Sequence, residues 1–211
     1  MRFFKQLFVA LALLCATYAH AEVVEGRDYS KLSQPQPTAS GNKIEVLEFF
    51  FYGCPHCYHL HGALNTWKKT MPKDVDLHYV PVFFKDFAVP MARTFYALES
   101  MGKLGKLHND LYEAWNVFDI NLRDEDKIIE FVAKHGVDRQ RFKDEYESFK
   151  VMNKVDRTVH EKALIDYGVE GTPDFVVDGK YNVPNRTTPE DTLRVLDEVI
   201  KLARKERNKK H

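Results

Sequence analysis

The stretch "FFFYGCPHCYHL", Phe49 to Leu60, decides how the chain is read, because a run of aromatic residues breaks at Gly53 and two cysteines follow three positions apart. The run belongs to "KIEVLEFFF" (Lys43 to Phe51), whose β-branched and aromatic content predicts a buried strand. Gly53 marks a turn, Pro55 suits the first position of a helix, and "HCYHLHGALNTWKKTM" continues as that helix until Pro72 closes it. Cys54 and Cys57 therefore fall at a strand-to-helix junction. Metal ligands, a structural staple and a redox couple all compete as readings of the pair.

A second strand follows in "DVDLHYVPVFF" (Asp74 to Phe84). From about Val89 to Tyr167 the pattern turns helical, in "MARTFYALESM", "KLHNDLYEAWNVF", "DEDKIIEFVAKH", "RQRFKDEYESFKV" and "NKVDRTVHEKALIDY". Gly102, Gly136 and Gly168 stand where C-terminal caps fall, and no repeat of fixed period links the segments. Strand character returns in "VEGTPDFVVDGKYNV", two short strands around Asp178-Gly179, a two-residue hairpin signal. Thr188 then caps a helix with Pro189 at its first position, "EDTLRVLDEVIKLARK", and "KERNKKH" reads as a frayed, solvated end. This order predicts an α/β protein in which one sheet domain, 22–85 and 161–211, is interrupted by an all-helical insertion at 86–160.

The opening "MRFFKQLFVALALLCATYAHA" has the order of a secretory signal peptide: basic Arg2 and Lys5, an apolar segment, then Ala19-His20-Ala21. The apolar segment is about nine residues, against roughly 20 for a membrane-spanning helix. The reading is an exported protein without residues 1–21. An uncleaved anchor, or a lipid on Cys15, would leave the globular part on the same side of the membrane. Cleavage removes one of three cysteines and leaves Cys54 and Cys57. Loss of Arg2 and Lys5 from a balance of 31 basic and 31 acidic residues gives a net charge near −2, so no global field argues for nucleic acid. The glycines form no phosphate-binding loop, and no nucleotide is expected.

A bridge across two intervening residues constrains little of the unfolded chain, which argues against a staple. Zinc wants four ligands, usually from two pieces of chain. His56, His59 and His61 crowd the motif, but no second cysteine pair exists and the other histidines are scattered singly. His59 and His61 read as helix-surface residues, and no metal is expected. A redox couple fits better. A helix N-terminus stabilises a thiolate through unpaired N–H groups and its dipole. Cys54 holds that place, whereas Cys57, one turn on, points back into the domain. His56 can further favour the Cys54 thiolate, and Pro55 pre-sets the helical backbone.

"EFFFYGCPHCYHL" together with "VEGTPDFVVDGKY" resembles the thiol:disulfide oxidoreductase family of bacterial envelopes typified by DsbA. The likeness in element order runs from about Tyr29 to Leu202, and Cys-Pro-His-Cys resembles the motif of the oxidase branch, whereas thioredoxins usually carry Gly-Pro between the cysteines. The resemblance implies a thioredoxin-like fold with a helical insertion, a periplasmic location, Cys54 as the attacking sulfur and Cys57 as the buried resolving one. It implies that His56 stabilises the Cys54 thiolate and that Pro173 is cis, with Thr172 and Pro173 positioning substrate. An apolar groove beside Cys54 is expected to accept unfolded chains. The implied partners are reduced, unfolded exported proteins and a DsbB-like quinone-linked membrane protein that reoxidises Cys54. The protein would act as a monomer and without a bound cofactor.

Thr172 departs from the best-known oxidases, which carry Val there, while disulfide isomerases often carry Thr. About 20 mature residues precede the first strand, too few for the separate dimerisation domain of a dimeric isomerase. Glu48 shares a strand face with Ile44, Val46 and Phe50, where a carboxylate is costly unless its pKa rises or a partner is found. The resemblance makes it a proton acceptor for Cys57, and a lysine that accompanies this acid in some relatives is replaced near Tyr79. Trp67, Trp115 and the tyrosines at helical spacing read as core. Two other functions stay open at this level: a reductase or isomerase, and a non-enzymatic metal- or peptide-binding module.

Overall fold

A computed structural model describes residues 22–209, the side chains of 157–159 excepted. The leader reading of residues 1–21 lies outside the described residues. Five strands form one sheet in the order β1-β5-β4-β2-β3. Its central strand, β2 (Ile44–Phe50), is buried at every position except Leu47, which is why its sequence runs apolar without alternation. β3 (Val75–Pro81) lies parallel to β2, with Tyr79 opposite Glu48. On the other side β4 (Asp174–Val177) runs antiparallel, placing Phe175 opposite Glu48, and β5 (Tyr181–Pro184) continues the ladder. β1 (Ser30–Lys31) pairs with β5 at the edge.

Two helices cover the face that carries Ile44 and Val46. Leu60, Leu64 and Trp67 of α1 (Pro55–Thr70) and Leu196, Val199 and Ile200 of α8 (Pro189–Asn208) pack there in one cluster. Phe49 and Val176 on the opposite face pack with Val82 and Val169. Between β3 and β4 the chain runs through a 3₁₀ turn at Asp86–Ala88 and six helices: α2 (Val89–Ser100), α3 (Leu104–Asn116), α4 (Glu125–Lys134), α5 (Arg139–Tyr146), α6 (Phe149–Lys154) and α7 (Arg157–Asp166). Their core, built on residues such as Phe95, Leu111, Tyr112 and Val132, is continuous with Phe50, Tyr52 and Cys57. The helical block therefore roofs the cysteine-bearing end of α1.

Three local expectations need correction. "RQRFKDEYESFKV" forms two helices, because the Ser148 hydroxyl caps a fresh helix by accepting the Val151 N–H at 3.2 Å. The hairpin has the positive φ values a primed turn needs, 55° at Asp178 and 60° at Gly179, yet its ladder opens at Val177 facing Tyr181, one residue longer than the dipeptide signal. The tail expected to fray continues α8 to Asn208, since Arg207 pairs with Asp178. That ion pair lies on the same turn as Gly179, whose carbonyl accepts the Gln36 N–H at 2.7 Å.

Gly179 combines a φ of +60° with a backbone approach in which a Cβ would clash with the Gln36 carbonyl oxygen. Gly179→Ala is expected to destabilise the fold by about 2 kcal/mol or more. A lower urea midpoint at unchanged slope is the measurement that checks it.

Candidate active site

At the strand-to-turn break Gly53 lets the Phe51 ring lie close against the backbone: a Cβ there would come within 2.6 Å of the ring, which would have to move aside. The turn closes with the Cys54 N–H donating to Phe51 O at 3.0 Å, and α1 starts with Cys54 as its N-cap and Pro55 at its first position. Here a sulfur does what a Ser or Asp oxygen commonly does, accepting the Cys57 N–H at 3.4 Å. Both cysteines are free thiols, Cys54 half-buried and Cys57 fully buried. The Thr172–Pro173 bond is cis, and Cys54 Sγ lies 3.3 Å from the Thr172 carbonyl oxygen across 118 residues of chain, a hydrogen bond when the sulfur carries its proton.

The two sulfurs have opposite electrostatic surroundings. The Cys57 thiol donates to Cys54 and, against the cost of burial, holds its pKa down to about 5 from an ordinary 9.0, with help from the Thr172 side chain and the backbone N–H groups of Cys57 and His56. Unscreened, that fall would correspond to about 5 kcal/mol, and solvent at the half-exposed sulfur lowers the figure. It still exceeds the 0.3–1 kcal/mol typical of a helix dipole alone, so convergent donors carry most of the effect. Burial, then the neighbouring Cys54, pushes Cys57 well above the ordinary value. At neutral pH the exposed sulfur is a thiolate and the buried one a thiol.

Glu48, whose charge acts on Cys57, is 1% exposed, and neither carboxylate oxygen has a hydrogen-bond partner among the described residues. Burial raises its pKa to about 8, against a lowering influence of Lys68, so the group is protonated at neutral pH. Lys68 Nζ donates to Tyr79 Oη at 2.8 Å. The strand position where a lysine was missing is thus served by a lysine from α1.

The structure brings Cys54, Pro55, His56, Cys57, Thr172 and Pro173 to one end of α1, with Glu48 on the central strand acting electrostatically on Cys57. His56 and Pro55 are exposed, and His56 faces a cleft of about 310 Å³ shared with His59, Asn185 and Arg186. His59 is on the surface as expected. His61 is not: at 4% exposure it sits within the aromatic cluster of α3, because positions 57, 60, 61, 64 and 67 fall on the buried stripe of α1. Trp67 is core, whereas Trp115 is half-buried beneath Arg123, whose guanidinium lies 4.9 Å from its ring. Sequence reasoning named no groove residues. An apolar notch of about 220 Å³ is formed by Phe51, Val82, Phe84 and Phe87, with Phe84 and Phe87 still 50% and 41% exposed. The repeated aromatics of "VFFKDF", just past the end of β3, were the available signal. Among the described residues no three His, Cys, Asp or Glu side chains converge as a metal site.

A thioredoxin-type sheet, a low-pKa sulfur at the start of α1 and a cis-proline loop against it define a thiol:disulfide oxidoreductase. Residues 59–200 match the sequence profile of the DSBA-like thioredoxin domain. The chain is 35% identical over 198 residues to the thiol:disulfide interchange protein DsbA of Burkholderia cepacia, covering 92% of each chain. Among solved structures, that of Pseudomonas aeruginosa DsbA superimposes with a TM-score of 0.81 at 33% identity, covering 88% of this chain and 97% of that one. The oxidoreductase DsbA from Xylella fastidiosa gives 0.79 at 30% identity, covering 86% and 98%. The chain belongs to the DsbA family, and it is an oxidoreductase of the disulfide-forming kind.

The depressed Cys54 pKa makes a linkage prediction. Stability from the thiolate is fully present above the unfolded pKa, near 9.0, and is lost as pH falls through the folded value of about 5. Glu48, raised to about 8, acts with the opposite slope between its unfolded and folded values, but does so in both redox forms. The stability of reduced relative to oxidised protein should therefore rise from pH 5 towards 9 and level off below 5. Paired urea titrations of the two forms measure it.

Proposed function

We propose that the protein donates the Cys54–Cys57 disulfide to reduced, unfolded proteins exported to the periplasm, through a mixed disulfide on Cys54. The observation that carries this reading is the asymmetry of the sulfurs: Cys54 is partly exposed and held as a thiolate, Cys57 buried and held as a thiol. A substrate thiolate attacks Cys54 Sγ; the Cys54–Cys57 bond breaks and Cys57 leaves, taking a proton from Glu48. The substrate's second thiolate then attacks its own sulfur in the mixed disulfide, and Cys54 leaves as thiolate. Two electrons pass from the substrate dithiol to the protein. Electron balance revises the role first given to Cys57: its attack on the mixed disulfide returns reduced substrate and the starting disulfide, so it is an escape route and not the product-releasing step.

His56, exposed next to Cys54, lends its backbone N–H to the thiolate, and Pro55 pre-sets the turn that presents it. Thr172 and Pro173 offer backbone to an extended substrate, and the apolar notch at Phe51, Phe84 and Phe87 takes its apolar side chains. Reoxidation uses the same sulfur, by a quinone-linked membrane protein of the DsbB kind. No described helix is long and apolar enough to cross a membrane, so the partner supplies that element. The protein works as a monomer, without a bound cofactor, after removal of residues 1–21. The sheet domain is formed by 22–85 and 161–211, and the helical insertion by 86–160.

The reduction potential against glutathione tests the reading. A value well above thioredoxin's is expected, and a value near thioredoxin's would replace the oxidase by a reductase, the role that Thr172 would then favour. Cys57→Ala, its Cys54 first converted to a mixed disulfide by oxidised glutathione, should exchange the glutathione for a reduced single-cysteine substrate protein and accumulate that mixed disulfide, visible on a non-reducing gel, and Cys54→Ser should form none. Glu48→Gln should slow single-turnover oxidation of a dithiol substrate by about tenfold or more, since the general acid for Cys57 is lost.

A further inference from the structure

Six buried side-chain atoms lack a hydrogen-bond partner among the described residues, and five of them fall in one region: both Glu48 oxygens, His61 Nδ1, His108 Nε2 and Tyr112 Oη. The region is continuous. Tyr79 stands opposite Glu48 in the β2–β3 register, and its ring is 4.5 Å from that of His108. His108 is 5.2 Å from His61, and His61 is 4.6 Å from Tyr112 by ring centroids. At its outer end a notch of about 130 Å³ opens between α1 and α3, bordered by His61, His108, Tyr79, Lys68 and Asn109. Lys68 and Asn109 are exposed, so the notch meets solvent. Buried polar groups without partners are costly, and a cluster of them is unexpected in a core that serves packing alone.

We propose that this cluster is a proton port, in which His61 and His108 pass protons between Glu48 and the solvent-filled notch at Lys68. The proposal rests on the reading that Glu48 exchanges a proton with Cys57, and it supplies the route by which Glu48 is recharged. When Cys57 leaves as thiolate, Glu48 gives it a proton and becomes a carboxylate. One proton from water then returns to Glu48, each imidazole accepting at one nitrogen and releasing from the other. Re-formation of the disulfide sends one proton back along the same path.

The charges around the histidines suit such a relay. Burial, then Lys68, lowers His61 to about 4, against opposing influences of Asn109 and Glu113, and burial, then His61 and Lys68, takes His108 well down. Both rings stay neutral, each with one donor and one acceptor nitrogen. The hydroxyls facing them, Tyr52, Tyr79 and Tyr112, are all raised and remain protonated. Tyr52 Oη, on which the Glu48 charge acts, is 2.8 Å from His108 Nδ1, so this hydroxyl is the link through which that ring exchanges a proton on the Glu48 side, leaving Nε2 for the other. His61 Nε2 lies 2.9 Å from Asn65 Nδ2. Glu48 is thus the group in the cluster that changes charge near neutral pH.

The test follows the infrared carboxyl band of Glu48 in the oxidised protein, identified by its loss in Glu48→Gln, after a pH jump across 8. In His61→Phe/His108→Phe the relaxation should slow at least tenfold, and in His61→Ala added imidazole should restore it. Unchanged relaxation in the folded double variant overturns the proposal. So does slowing that imidazole fails to restore in His61→Ala, which would assign the histidines a packing role. Should the double variant not fold, His61→Gln, which keeps a polar side chain towards Asn65, is held to the same relaxation criterion. The measurement uses no substrate, so it stands apart from the oxidase reading, whose failure shows in the reduction potential.

Discussion

Cys54 Sγ stands where the first turn of α1 needs an acceptor, and from that contact most of the site's behaviour follows. In the reduced protein the sulfur receives the Cys57 thiol proton, the Thr172 side chain and backbone N–H groups at the helix start. A disulfide sulfur carries no charge for those donors to stabilise. The backbone N–H groups and the Thr172 side chain are in place in both redox forms, and the Cys57 thiol joins them on reduction, so the form that uses them is favoured. A strand ending at Gly53, a helix beginning at Pro55 and a distant loop at Thr172 are all required to aim them at one atom.

The helical insertion gives the second sulfur its opposite character. Its core is continuous with Phe50, Tyr52 and Cys57, so the end of α1 is dry on one side and open on the other. Dryness raises Cys57 and Glu48 together, and Glu48 is among the charges that act on Cys57, so two acids raised by the same burial can trade a proton with little change in free energy. Aromatic rings fill the space between them and α3, which keeps water scarce while leaving hydroxyl and imidazole groups in reach.

Sequence and structure agree where the signal is a change of period. The continuous apolar run of β2, the glycine, the proline and the apolar spacing of α1 locate the cysteines without a structure. Glu48 was conspicuous because a charge in such a run has to be explained. His61 reads as a surface residue beside His56 and His59, yet its place at i+4 from Cys57 puts it on the stripe that also buries Leu60 and Leu64. β1 has two residues, too few to show alternation, and exists through its partner β5. The apolar notch is not legible in the sequence because Phe84 and Phe87 lie outside the strands, where no periodicity tells an exposed aromatic from a buried one. The break at Ser148 was available from the sequence, since a serine three residues before a valine N–H is a common start of a helix.

The 118 residues that separate Cys54 from Thr172 also govern when the sulfur becomes reactive. A chain synthesised from its N-terminus presents the cysteines first, then the whole insertion, and only afterwards the loop that completes their surroundings. Until the later segment has docked, Cys54 is an ordinary thiol near the start of an isolated helix, and Cys57 has no roof. Such a precursor is a poor nucleophile at neutral pH and a poor leaving group towards passing thiols. The order of the chain therefore acts as a timing device, which withholds reactivity from the protein's own unfinished form and grants it to the completed fold.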